Sequence, residues 1–213
     1  MNKPTTTQAA AFQDLYDSFN GAFFAGDLAQ CLLNLSRKSK ALGFFAPERW
    51  TEDGETVDEL SINPSYLSSR TAVQTASTLL HEMCHKWQSQ FGTPGRRGYH
   101  NAEFSNKMAE VGLTTSTTGA PGGKRTGDRM THYVTPGGAF ETFWAAYAGD
   151  SESLFPLMCQ EGDPSTTKRK AASNASKTKY VCPCGTNIWG KPGLIVACGE
   201  CCETFAPVAK KGK

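Results

Sequence analysis

Five consecutive residues, His81-Glu82-Met83-Cys84-His85, set two imidazoles four positions apart with a carboxylate beside the first. On a helix that spacing projects both rings from one side, about one turn apart, so both reach one ion at the roughly 2.0–2.1 Å of a zinc–nitrogen bond. Catalytic zinc generally takes three protein ligands and keeps a fourth position for water, so a further donor is required. A ligand two turns further on would be histidine at position 91, which is Phe91, and the subclass with that extended pattern is excluded. His100 leads the candidates, because the glycine- and proline-containing stretch from Gly92 to Gly98 can fold the chain back; Glu103, Glu110 and Glu141 stand as alternatives. Glu82 is placed to take a proton from metal-bound water and pass it to a leaving amine. His132 and Tyr133 are oxyanion donors by residue type alone, and His132 reads more readily as a structural histidine.

A second constellation is made of thiols. Cys182-Pro-Cys184 and Cys198-Gly-Glu-Cys201 are paired clusters separated by thirteen residues of β-like texture. This is the layout of a zinc ribbon, two knuckles offering four thiolates to one tetrahedral ion. The first knuckle has one intervening residue instead of the usual two, and Cys202 competes with Cys201 as fourth ligand. A module of about 30 residues has too little core to stand alone, so metal binding should supply much of its folding free energy.

The elements that must hold these groups follow from hydrophobic spacing. Phe12, Leu15, Tyr16, Phe19 and Phe23 predict a helix over 10–24. Stretches 30–36, 41–46 and 57–63 predict three short strands, most simply an antiparallel sheet. Val73, Ala76, Leu80, Met83 and Trp87 share one arc of a helix from Arg70 to about Phe91, and the two histidines lie roughly 120° around from it, free to line a cleft. Further helices are expected over 101–112, capped by Asn101, and over 138–148, with loop at 113–137.

The chain has 213 residues with 38% hydrophobic and 10% aromatic content, enough for one ordinary domain and a small module. Eight cysteines, five of them in the last 32 residues, suit metal ligation in a reducing compartment better than a disulfide framework. The N-terminus lacks an export signal, and no segment is apolar enough to span a bilayer, so a cytoplasmic, membrane-free monomer is expected. Residues 164–213 hold nine Lys or Arg against Glu200 and Glu203, a charge of +7, which leaves −5 for residues 1–163 within the net +2. The expected organisation is a domain over 8–160, a basic linker over 161–178, the ribbon over 179–207 and a basic tail over 208–213. Lys168, Arg169, Lys170 and Lys191 would contact phosphates, with Trp189 and Tyr180 stacking on bases, in sequence-independent DNA binding.

These residues resemble the SprT-like (Spartan-type) metalloproteases. The likeness is most specific at Ser77-Thr78-Leu79-Leu80-His81-Glu82-Met83-Cys84-His85, at Tyr99-His100-Asn101 with Phe104, at Asn63-Pro64, and at Trp189-Gly190-Lys191-Pro192-Gly193-Leu194. The resemblance implies an α+β, zincin-like domain, helices packed on a small antiparallel sheet, followed by a zinc ribbon. It also implies one catalytic zinc on His81, His85 and His100 with Glu82 catalytic, beside one structural zinc on Cys182, Cys184, Cys198 and Cys201. The activity implied is an endopeptidase for proteins associated with or cross-linked to DNA. The alternative class is a DNA-binding adaptor whose ribbon carries the function and whose histidine site is vestigial. A non-proteolytic zinc hydrolase on the same scaffold is a third.

Overall fold

The structure is a computed structural model describing residues 3–38, 40–148 and 177–208. The chain divides into two compact units, Met1–Glu161 and Gly162–Lys213. The linker lysines and arginine at 168–170, most of the basic stretch 161–178 and all but the first residue of the tail lie outside the described residues.

In the first unit, α1 (Pro4–Phe24) buries Phe12, Leu15, Tyr16, Phe19 and Phe24 along one stripe. It begins six residues before the expected start. Proline at the first position needs no hydrogen bond, and an alanine-rich stretch then extends the helix without adding apolar periodicity. It ends where Ala25 turns left-handed, and Asn20 clasps both the amide and carbonyl of Leu28.

Three strands follow: β1 (Leu32–Leu35), β2 (Gly43–Glu52) and β3 (Glu55–Ile62), in the order β1-β3-β2. Asp53 and Gly54, both at positive φ, form the tight turn that makes β2 and β3 an antiparallel hairpin. The sheet is nevertheless mixed and not antiparallel throughout, since β1 pairs parallel to β3. Between β1 and β2 the chain crosses from one edge of β3 to the other. Asn63 pins that crossing, donating from its side chain to the carbonyls of Lys38 and Ala41.

Helix α2 (Ala72–Phe91) opens with a capping box, Thr71 and Gln74 each bonding the other's backbone. Ala76, Leu79, Leu80, Met83 and Cys84 are fully buried against α1, the sheet and the next helices. Lys86 is buried too, its ammonium 2.8 Å from Asp58 on β3. Asp58 also accepts the Glu48 amide at an irregularity in β2, so one carboxylate ties the helix to the hairpin. The two partners differ in access to water, at 2% side-chain exposure for Lys86 and 24% for Asp58. Asp58→Ala, which strands a buried ammonium, is therefore expected to cost about 3–5 kcal/mol, and Lys86→Met only about 1–2 kcal/mol, in urea unfolding.

After α2 come β4 (Tyr99–His100), α3 (Ala102–Glu110), β5 (Leu113–Ser116), β6 (Gly127–Asp128), β7 (Thr131–Val134) and α4 (Ala139–Tyr147). The span 113–137, expected to be loop, thus holds three strands: β5 pairs with β7 and β6 with β4. Thr115 and Ser116 are buried through side-chain hydrogen bonds, so β5 shows no apolar alternation to read. At Gly112 a Cβ would collide with the backbone nitrogens of Ala139 and Phe140, and glycine lets α4 approach.

The second unit contains β8 (Thr178–Val181), β9 (Asn187–Gly190) and β10 (Ala206–Pro207), antiparallel in the order β10-β8-β9. Its buried core is Tyr180, Cys182, Cys198 and Phe205. Among the described residues no helix is long and apolar enough to cross a membrane.

Candidate metal centre

Helix α2 brings His81, Glu82 and His85 to one face, and each of His81 and Glu82 is less than a tenth exposed. His100 arrives from β4. The ligand atoms of His81, His85 and His100 lie within 4.8 Å of one another, and the Nε2 atoms of His85 and His100 are 3.1 Å apart. Two nitrogens on one tetrahedral zinc stand about 3.3 Å apart, so the rings fit a shared ion. His81 Nδ1 is buried with no hydrogen-bond partner. A ligand set of neutral imidazoles with little water access suits zinc.

The third histidine is held in place by its neighbours. Its Nδ1 lies 3.3 Å from the Gly127 carbonyl across the β4–β6 pair, which assigns the proton to Nδ1 and leaves the Nε2 lone pair free. Asn101 caps α3 through the Phe104 amide and donates to the Thr93 carbonyl. Gln88 on α2 donates to both Asn101 and Glu103, while Glu103 accepts the Thr93 amide. The turn that returns the chain from α2 is thereby fastened to α2 itself.

The alternative carboxylates are engaged elsewhere. Glu103 serves that turn, Glu110 pairs with Lys107 and Glu141 accepts the Gly137 amide. Phe104 forms the floor: its ring stacks on His85 at 4.1 Å and meets His81 and His100 edge-on at 5.1 and 4.9 Å. Nothing in the spacing of Phe104 along the chain signals this role, which arises from the packing of α3 on α2.

The fourth histidine is also here. His132 on β7 stacks on His81 at 5.1 Å, with its Nε2 3.1 Å from Ser77 Oγ. Ser77 donates to the Gln74 carbonyl, so its oxygen accepts from His132, and His132 stands outside the ligand trio. Tyr133 projects from the opposite face of the strand, away from the stack.

Burial dominates the electrostatics. It pushes His85 down to about 3 and His132 to about 4, and, helped by the neighbouring imidazoles, holds His81 well below its ordinary range. It raises Glu82 to about 8, against the opposing Phe45 amide hydrogen bond and the charge of Lys38. Metal-free protein should therefore lose stability on acidification, because the several depressed histidines outweigh the single raised carboxyl of Glu82, which works in the opposite sense. Below about pH 6.5 the unfolded chain takes up protons on these histidines while the folded chain does not, down to about 4 for His132 and 3 for His85. Each contributes a slope of up to ~1.4 kcal/mol per pH unit. A falling melting temperature of chelated protein between pH 7 and 5 is the expected result, and an unchanged one contradicts it.

In the second unit Cys182, Cys184, Cys198 and Cys201 place their sulfurs within 4.8 Å of one another. The Cys184–Cys198 sulfurs are 3.7 Å apart and the Cys182–Cys201 pair 3.1 Å, against about 3.8 Å for thiolates sharing a tetrahedral zinc. Cys202 is not in the cluster; it is left-handed, with its amide bonded to the Cys198 carbonyl. Trp189 is 61% exposed, and the Lys179 ammonium lies 5.8 Å from its ring centre. Lys191 is exposed. Tyr180, expected to stack on bases, is instead buried, its hydroxyl donating to the Lys191 carbonyl and accepting the Leu194 amide.

An α+β domain with two histidines and a glutamate on one helix face and a third histidine folded against them is that of a metallopeptidase-like protein. The profile of the SprT-like family matches residues 12–124, more than half of the chain, and the chain belongs to that family. The match takes in all three clustered histidines and Glu82, and ends before His132 and the cluster of Cys182, Cys184, Cys198 and Cys201. No curated protein and no solved structure matches the chain.

Proposed function

We propose that this chain is a zinc-dependent, zincin-like endopeptidase acting on proteins associated with or cross-linked to DNA. The observation that carries the reading is the convergence of His81, His85 and His100 within 4.8 Å, beside Glu82 on the same helix face. When bound by these histidines, a zinc ion supplies Lewis acidity, bringing the pKa of water towards 7 and polarising a carbonyl. His100 is oriented by Gly127, His81 by the ring of His132, and Phe104 keeps water from the back of all three. Glu82 takes the proton of the attacking water and returns it to the departing amine, the two halves of a transfer that a carboxylate on the same helix face as the ligands can make.

The DNA component rests on the second unit, where Cys182, Cys184, Cys198 and Cys201 hold a structural zinc. Exposed Trp189 stacks on bases while Lys191 and the basic residues Lys168, Arg169 and Lys170 meet phosphates, without sequence preference. The test is digestion of an unfolded protein by zinc-loaded enzyme, with and without single-stranded DNA and with a chelator. Cleavage that the chelator stops supports the reading. A protein that binds DNA and digests nothing under any of these conditions is the adaptor instead.

A further inference from the structure

The charges around the histidine cluster run against the charge of the chain that carries it. Residues 1–163 sum to −5. Yet the two cations whose fields reach the site, Lys38 at Glu82 and Arg70 at His132, have no acidic partner among the described residues. The acid felt by His100, Asp128, is already taken, bonded through both oxygens to Arg96 at 2.7 and 2.8 Å.

Arg70 is the more telling of the two. Its Nη2 donates to the Gln74 carbonyl at 2.7 Å and to Thr78 Oγ1 at 3.1 Å, both neutral. Thr78 spends its own proton on the Gln74 carbonyl, so its oxygen is free to accept. These contacts fix one end of the guanidinium and leave its Nη1 and Nε hydrogens without a protein acceptor among the described residues. The group is also partly desolvated, which lowers its pKa. A rigidly held, under-solvated guanidinium with one edge unused is the form in which proteins recognise carboxylates, two parallel hydrogen bonds at a time.

Its position says which carboxylate. Thr78 lies three, four and seven residues before His81, Glu82 and His85, on the same face of α2. Thr78, which accepts from the guanidinium, is therefore about 5 Å along the helix axis from the first metal ligand. The charge of Arg70 is felt by His132, which stacks on His81, so an anion held there would lie beside whatever the histidine cluster binds.

We propose that Arg70 is a specificity-determining residue that receives a carboxylate of the substrate peptide, from an acidic side chain or a C-terminus, next to the scissile bond. The assignment rests on the endopeptidase reading for the substrate's identity, but its test does not need turnover. Zinc-loaded, full-length Glu82→Gln protein is titrated with a positional-scanning peptide library, each member made as C-terminal acid and as amide. Binding of Asp or Glu, or of the free acid, should exceed that of the neutral counterpart by about tenfold. Adding Arg70→Gln should erase that ratio without changing zinc content or the affinity of neutral peptides, Arg70→Lys should keep part of it, and Arg70→Glu should reverse it towards basic peptides. The two C-terminal forms separate side chain from terminus.

A ratio near one, or a preference that survives Arg70→Gln, overturns the proposal. So does an Arg70-dependent affinity for a short oligonucleotide with no peptide preference, which makes the ligand a phosphate. An Arg70-dependent peptide preference together with wild-type protein that cleaves none of the preferred peptides removes the protease reading and leaves the carboxylate site standing.

Discussion

Glu82→Gln is expected to lower kcat by about 10²–10⁴-fold while leaving fold and metal content unchanged. The amide has the shape of the carboxylic acid and can still accept the Phe45 amide, so the packing of α2 on β2 survives. It cannot take a proton. In metal-free protein Glu82 already titrates near 8, so a neutral side chain at this position costs the fold little at neutral pH. Thermal unfolding and zinc content should match wild type. Retention of more than about a tenth of wild-type activity would remove Glu82 from the proton transfer. Replacing His81, in contrast, should eliminate the metal together with the activity, which separates loss of the ion from loss of the base.

The second large effect concerns the cysteine unit. Its buried core is four residues, two of them the proposed ligands Cys182 and Cys198. So small a core cannot offset the entropy of ordering the chain, whereas zinc binding to such thiolate sites releases about 10–16 kcal/mol at neutral pH. Cys198→Ser should therefore abolish hydrogen-exchange protection across 178–207 and lower zinc content from about two per chain to one. The first unit has its own core and should melt as before. Cys202→Ser should change neither quantity, since that residue sits outside the cluster. A Cys198→Ser protein that keeps a protected second unit would show that the strands hold themselves.

What could be read beforehand divides by range in sequence. The helix-borne pair His81 and His85 was visible because four residues on a helix is a fixed distance, and His100 because a short turn allows few places to return to. His132 was not assignable: it reaches His81 only through the β5–β7 pairing, and neither strand carries an apolar alternation. The parallel β1–β3 pair was missed for the same reason, because three apolar runs fix neither strand order nor direction. Arg70 and Lys38 gave no signal, for the absence of an acidic partner is a fact of space. Between Cys201 and Cys202 the sequence left a choice that the left-handed backbone at Cys202 makes in the structure.

Gly43 has a bearing on all of this. A Cβ there would stand 2.9 Å from the Ser61 carbonyl and 3.2 Å from Glu82 Cγ. The edge strand thus acts as a jig for the proton-carrying side chain, its clearance set by a missing methyl group. Any drift of the hairpin, however distant its origin, is delivered to the carboxylate with no soft layer between to absorb it.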